Sequence, residues 1–414
     1  MPGIVAEPDR AKTRVSKFAV AGAWFIAVNL ALLSYFAGHG LDVFALQNRS
    51  EVWWTVNNFR QARDRADLLL IGSSVMCRII NEGEATYAQR ILNGHSHYCS
   101  RKLEDNLALE LKTKIHSISL AVPGLNASDV SVLASALLQG QKKPNLIVYG
   151  IAPRDLMDNA LTSPADTDVF RLTEKISNLS DVAYAARPAP DQKLKFAVNQ
   201  ILSSLLPLYK YQEELVVSWR RAAAAFLQEY LPAPSTCSLP PFDQPTRVAL
   251  HLLAPDQEAD LKVFPFASSE REHGDLRQCY LASYNPFRPR QYRLQLEFVD
   301  RFLRIARERE MKVVLVNMPL RQDSFDLMPA NFYNLYSQDI RRLAATRGAT
   351  FIDMQPMAFD DQDFDDQVHL SGLGACKFID RLSPRLATVI SGAVVARSHN
   401  RAVDLSTTDT RPAF

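Results

Sequence analysis

The sequence predicts an α/β protein, with a three-layer, doubly wound parallel sheet, a largely helical insertion and one N-terminal transmembrane helix. Three observations predict it. Short apolar runs of four to eight residues recur along the chain between turn residues, as buried parallel strands do. Stretches of helical period lie between them, and that alternation implies a sheet covered by helices on both faces. Residues 18–36 carry no charge at all.

In order, Phe18 to Phe36 (FAVAGAWFIAVNLALLSYF) is 19 uncharged residues in which only Asn29 and Ser34 are clearly polar. As a helix it spans about 28 Å, close to a bilayer's hydrocarbon core. Arg10, Lys12, Arg14 and Lys17 precede it, and the next basic residue is Arg49. By the positive-inside rule, 1–17 is a cytoplasmic tail, 18–38 a signal anchor, and the remainder lies on the periplasmic or extracellular face of the cytoplasmic membrane. Ser34-Tyr35-Phe36-Ala37 fits a small-x-small cleavage site poorly, so the anchor is expected to stay.

Residues 39–65 read as a tether leading into a helix. The strand signals are Asp67 to Gly72 (DLLLIG), Ile115 to Val122 (IHSISLAV), Asn145 to Gly150 (NLIVYG), Lys312 to Asn317 (KVVLVN) and Thr350 to Asp353 (TFID). Helical patterns cover Ser128 to Gln139 behind a Ser cap, Gln291 to Glu310, and Asn331 to Arg347 before the stop at Gly348. The last helix runs from Ser371 to about Val395, with Pro384 expected to kink or break it. Thus 66–155 and 290–396 form the α/β domain. Residues 156–289 are an insertion, helical then Pro-rich, and 397–414 are a flexible tail.

Forty-seven Lys and Arg against 45 Asp and Glu leave a net charge of +2, which gives no electrostatic case for a nucleic-acid partner. The five cysteines are Cys77, Cys99, Cys237, Cys279 and Cys376, with no CxxC pair. A Cys237–Cys279 disulfide would suit an insertion outside the cytoplasm. Metal readings are weak. Aligned on Asp361 as an EF-hand loop, position six is Asp366 and position twelve Gly372, so Asp360 to Asp366 read as a solvated acidic loop. His95, His97 and Cys99 read as a polar loop sooner than as ligands. No metal or organic cofactor is expected. Cys77 and Cys376 are expected to pack in the first and last helices. Arg288, Arg290 and Arg293 near Tyr284 and Tyr292 could grip an anionic polymer, or simply form a solvated helix start.

Sites in α/β sheets form at the carboxyl ends of strands. The segments that follow the strands are Gly72-Ser73-Ser74, Pro123-Gly124-Leu125-Asn126, Pro153-Arg154-Asp155 and, before the last helix, Asp366-Gln367-Val368-His369. These are the parts of an acyl-transfer site. A serine hydroxyl becomes a nucleophile when a base takes its proton, and histidine can do so near neutral pH. A carboxylate on the other ring nitrogen fixes the tautomer and stabilises the imidazolium. Ser74 at a helix amino end would face free N–H groups toward a developing oxyanion.

LLLIGSSVM at Leu68 to Met76, AVPGLNASD at Ala121 to Asp129 and DDQVHLSGLGA at Asp365 to Ala375 resemble the SGNH (GDSL-like) hydrolases. The resemblance covers about 65–155 and 290–395 and implies a flavodoxin-like SGNH fold. It implies Ser74 as nucleophile and oxyanion donor, Gly124 as oxyanion glycine, Asp366 as orienting acid and His369 as base. It also decides for Ser74 over Ser73. The anchor and the GSS variant most resemble membrane-anchored members that handle envelope polymers, such as teichoic-acid D-alanylation and alginate O-acetylation proteins. The family's third block is Gly-x-Asn-Asp, whereas this chain has Gly150-Ile151-Ala152-Pro153-Arg154-Asp155. Arg154 or Asn159 would have to replace the missing amide donor.

The expected function is a membrane-anchored serine esterase or O-acyltransferase acting on an ester of an envelope or exported glycan. The expected partners are the membrane, a lipid-linked or exported polysaccharide and a membrane-bound acyl donor. The alternative is a non-catalytic scaffold or glycan-binding component of an envelope polysaccharide machinery. A weaker third reading is a lipase or thioesterase with residues 202–231 as its lid.

Overall fold

The computed structural model describes residues 17–39, 43–44, 50–62, 66–140, 143–161, 163–177, 190–211, 261–265 and 276–407, with 179, 182 and 186 besides, and backbone alone at 36–39 and 393–407. The expected Cys237 partner of Cys279 lies outside them, as do residues 212–231 of the expected lid. The chain forms two compact units: 49–188 with 258–414, and 1–48 with 189–257. Both boundaries at 188/189 and 257/258 fall inside the stretch read as an insertion, so only its middle joins the N-terminal helix.

From the N-terminus, α1 (Lys17–His39) is long and apolar enough to cross a membrane over Lys17–Tyr35. Then come α2 (Glu51–Ala62), β1 (Leu68–Gly72), α3 (Ser74–Ala88), β2 (Leu92–Asn93) and α4 (Arg101–Leu111). β3 (Ser117–Ala121), α5 (Ala127–Leu137), β4 (Leu146–Ile151) and α6 (Asp168–Ile176) follow. Next are α7 (Pro190–Leu205), α8 (Pro207–Lys210), β5 (Lys262–Val263) and α9 (Arg277–Tyr284). α10 (Pro289–Glu308), β6 (Lys312–Asn317), α11 (Phe332–Arg347), β7 (Thr350–Asp353) and α12 (Gly372–Thr407) complete the chain.

The five expected strands form one parallel sheet in the order β3-β1-β4-β6-β7. β1, β3 and β4 are buried at every residue; β1 and β4 therefore read as continuous apolar runs, while β3 carries Ser117 and Ser119 and alternates. The chain runs outward from β1 to β3 and back past β1 to β4, and right-handed crossovers on that path put α3 and α5 on opposite faces. α3 packs with α4 and α12 in one helical layer, and α5 with α10, followed by α11, in the other. Counting the sheet strands alone, the order is 2-1-3-4-5, so the switch point lies between β1 and β4, where such sheets open a crevice at their carboxyl ends. β2 and β5 form a separate antiparallel pair.

Two glycines bring α3 down onto this point. Gly72 pairs with Gly150 across β1 and β4. A Cβ on Gly72 would sit 2.6 Å from the Gly150 carbonyl oxygen, and one on Gly150 would sit 2.5 Å from the Met76 methyl. The amino end of α3 can lie this close to the sheet because neither strand carries a side chain there.

Of the kink or break expected at Pro384, a break does not occur. α12 runs through it to Thr407, past residue 396 where the tail was expected to begin. Pro384 and Asp380, the residue whose carbonyl loses its i+4 donor, are both exposed, so water can serve that oxygen. On the other side, Leu382, Leu386 and Ala387 are buried and pack the helix against the core. The cap of α5 also differs from the expected Ser128. It is Asn126, whose N–H donates to the Asp129 carboxylate at 2.9 Å.

Candidate active site

Ser74 is the first residue of α3, where the leading N–H groups of a helix have no intrahelical acceptors. Ser73, just before it, is buried, and its hydroxyl donates to Asp155 behind the elbow. The two serines therefore face different partners. The hydroxyl of Ser74 lies 2.8 Å from His369 Nε2, across 295 residues of sequence. His369 Nδ1 lies 2.7 Å from Asp366 Oδ2. With Nδ1 carrying the proton, that nitrogen donates to the carboxylate and Nε2 is left to accept from Ser74.

The loop bearing the pair is fixed by its own backbone. The Val368 and His369 N–H groups donate to Asp366 Oδ1 at 2.8 and 2.9 Å. Asp365 N–H donates to the His369 carbonyl at 2.8 Å, and Phe364 bridges Leu370. The Gln367 carbonyl accepts from Arg321 N–H at 3.1 Å and from the Ser324 hydroxyl. Arg78, one turn beyond Ser74, reaches Asp365 at 3.1 Å and Glu82 at 3.0 Å, tying the loop to α3. The expected solvated acidic loop is thus only partly so. Asp363 and Asp366 are buried, and Asp363 accepts from Lys377 at 2.5 Å.

Burial would push the Asp366 carboxyl up, but the hydrogen bond and charge of His369, with the Val368 and His369 N–H groups, outweigh it and hold the pKa at about 2. Asp155 is also buried and has fewer donors, the Ala152 N–H at 2.9 Å and Ser73. Burial dominates there and raises it to about 7.

Gly124 follows β3 in a turn closed by Leu125 N–H to the Val122 carbonyl at 3.3 Å. With Pro123 at the second position and Gly124 at φ +78°, this is a type II arrangement, which needs glycine third. Arg154 follows β4 in a 3-10 turn, Pro153–Leu156, and donates to Asp158 at 2.7 Å. Its buried Nε has no hydrogen-bond partner. Asn159 is ruled out as the replacement amide donor, because its NH₂ is spent on the carbonyls of Ala282 and Pro286 at 3.3 and 3.0 Å.

Tyr280 on α9 is a neighbour that sequence reasoning missed. Its hydroxyl lies 3.5 Å from His369 Nδ1, and its ring is buried. Tyr280 and Tyr284, one helical turn apart, were the available signal for an inward face in this otherwise Pro-rich stretch. Tyr284 and Tyr292 are both buried against Phe332, at centroid distances of 5.9 and 5.5 Å, and cannot stack on a polymer. The exposed Arg288, Arg290 and Arg293 are a solvated helix start.

His95 stacks on Trp54 at 5.5 Å, and burial pushes His97 down to about 4. Among the described residues no three His, Cys, Asp or Glu side chains converge as metal ligands. Cys77 is pushed up to about 12 by burial, and Cys376 donates to the Gly83 carbonyl at 3.3 Å, so each packs within its helix layer. A small cleft of about 40 Å³ reaches Pro123 of the Gly124 turn. Its walls include Pro123, Ala121, Trp54, Asn58 and Asn81.

No family model matches this chain, and no curated protein matches its sequence.

Proposed function

We propose that the protein is a serine esterase or O-acyltransferase of SGNH type, working through an acyl-enzyme. The observation that carries this reading is the continuous Ser74–His369–Asp366 chain of hydrogen bonds, 2.8 Å and then 2.7 Å, at the switch point of the sheet. Ser74 Oγ attacks the ester carbonyl carbon while its proton passes to His369 Nε2. The tetrahedral adduct collapses, the ester C–O bond breaks, and the leaving alcohol takes the proton from His369. Water or a sugar hydroxyl then attacks the acyl-serine, gives its proton to His369 and releases the acid or the new ester. The serine recovers the proton.

The leading N–H groups of α3 and the Gly124 turn are the proposed oxyanion donors, with Arg154 Nε, buried and without a hydrogen-bond partner, as the side-chain candidate. The sequence resemblance, α1 and the basic tail before it support an anchored enzyme with its site outside the cytoplasm, serving an envelope or exported glycan. A membrane-bound acyl donor would make the reaction a transfer.

A second reading, a glycan-binding scaffold, is favoured by one observation: the amide of Asn159 is engaged elsewhere and no other Asn occupies the third block. A fluorophosphonate probe on the full chain separates the two. Labelling that survives Ser73→Ala and disappears in Ser74→Ala and His369→Ala is the expected result. A wild-type chain that never labels is a scaffold.

A further inference from the structure

The smaller unit presents its apolar residues the wrong way round for water. On α7, Leu194, Val198, Ile201 and Leu205 are 68%, 46%, 58% and 59% exposed. At 100° per residue they lie within about 60° of one another, a stripe about 17 Å long. Phe196, on the opposite side of the helix, is the residue that is buried. A helix in water turns its stripe inward, so this one faces a medium that accepts it.

Asn29 identifies that medium. It is the buried polar residue in the middle of α1, surrounded on the same helix by exposed Trp24, Phe25, Ile26, Val28 and Leu30. Its amide donates to the Phe25 carbonyl at 2.9 Å, and its side-chain oxygen accepts the Leu208 N–H at 3.2 Å. Leu208 lies in the first turn of α8, where the preceding residue, Leu206, supplies no side-chain cap. An N–H at such a helix start needs an acceptor, and far more so in hydrocarbon than in water. Asn29 lies six residues, about 9 Å, inward of Tyr35, so it meets α8 within the apolar length of α1.

We infer that the α7–α8 segment is a second membrane contact, its Leu194–Val198–Ile201–Leu205 stripe lying against the acyl chains beside α1. This rests on α1 crossing the bilayer. It does not depend on the chemistry at Ser74.

The test uses the full chain in nanodiscs with bromine-labelled acyl chains. A genetically encoded fluorescent amino acid is placed at Val198, at Lys195 off the stripe, or at Leu30 in α1. Bromine should quench Val198 about as strongly as Leu30 and several-fold more than Lys195, with aqueous iodide giving the reverse order. Ile201 and Leu205 serve as replacement stripe positions if the Val198 variant does not fold. Leu30 quenched with Val198 unquenched overturns the inference alone. A stripe quenched by neither agent is covered by protein and overturns it too. An unquenched Leu30 removes the membrane reading of α1 and this inference with it.

Discussion

The loop before α12 and the turn after β4 each bury an aspartate at the same sheet edge, and the two carboxylates end up in opposite states. Asp366 receives two backbone N–H groups on one oxygen and a histidine on the other, and its charge survives burial at a pKa of about 2. Asp155 receives one backbone N–H and a serine hydroxyl, and burial lifts it to about 7. Both are nearly inaccessible, with Asp155 the more fully desolvated of the two. What separates them further is how many donors converge and whether one can carry positive charge. The first arrangement suits a residue that must stay ionised beside an imidazolium. The second suits a residue that locks an elbow in place.

The largest expected effect comes from making the first carboxylate neutral. In Asp366→Asn, the Val368 and His369 N–H groups still require an acceptor where Oδ1 lies, so the amide oxygen must stay there. That turns the new NH₂ toward His369 Nδ1, which must then become the acceptor. The ring proton moves to Nε2, which faces Ser74 and can no longer take its proton. Turnover of p-nitrophenyl acetate should fall roughly 10⁴-fold with folding intact. A loss under tenfold would mean that Asp366 does not set the tautomer.

The same change at Asp155 should act on stability and leave turnover within a few-fold. An unfolded aspartate ionises near 4. Between there and about 7 the native chain keeps a proton that the unfolded chain has lost. Stability from this group is therefore full below pH 4 and falls as pH rises to 7. Three units correspond to a fall on the order of 4 kcal/mol. Asp155→Asn cannot titrate, so the wild-type-minus-variant difference in unfolding free energy should decline over that window and be level above it. Asp366 acts in the opposite sense, its contribution present above pH 4 and lost as pH drops through about 2. Parallel curves for wild type and Asp155→Asn between pH 4 and 7 would show that Asp155 is ionised throughout.

The same contrast explains how much could be read from the sequence. β1, β4 and β6 were visible because a strand buried on both faces is apolar at nearly every residue, and the half-exposed β7 was visible from its glycine-bounded position, Thr350–Asp353 matching its predicted bounds. The strand ends drew attention to Gly72-Ser73-Ser74 and Asp366–His369, and the SGNH resemblance picked Ser74 over Ser73. The state of Asp155 was hidden, since it depends on Ser73 and Ala152, contacts made only when β1 and β4 pair. The proposed membrane contact of residues 190–211 was hidden for a related reason. Their pattern is amphipathic either way, and it is the Asn29–Leu208 contact that brings α8 against α1. Pro384 misled because the rule about prolines in helices assumes a carbonyl with no other partner, and the one here faces solvent.

Tyr280 offers the finest adjustment of the comparison, because it adds a neutral oxygen on the Asp366 side of the imidazole. Nδ1 already donates to Asp366 at 2.7 Å, so the hydroxyl at 3.5 Å is at most a weak second acceptor for the same proton. Its worth should appear when the ring is charged, since an oxygen lone pair beside Nδ1 favours the imidazolium. Tyr280→Phe keeps the buried ring and removes that oxygen. The rate should change by less than threefold. A tenfold loss would assign the hydroxyl to the substrate, and an unchanged rate would leave Asp366 as the sole partner of Nδ1.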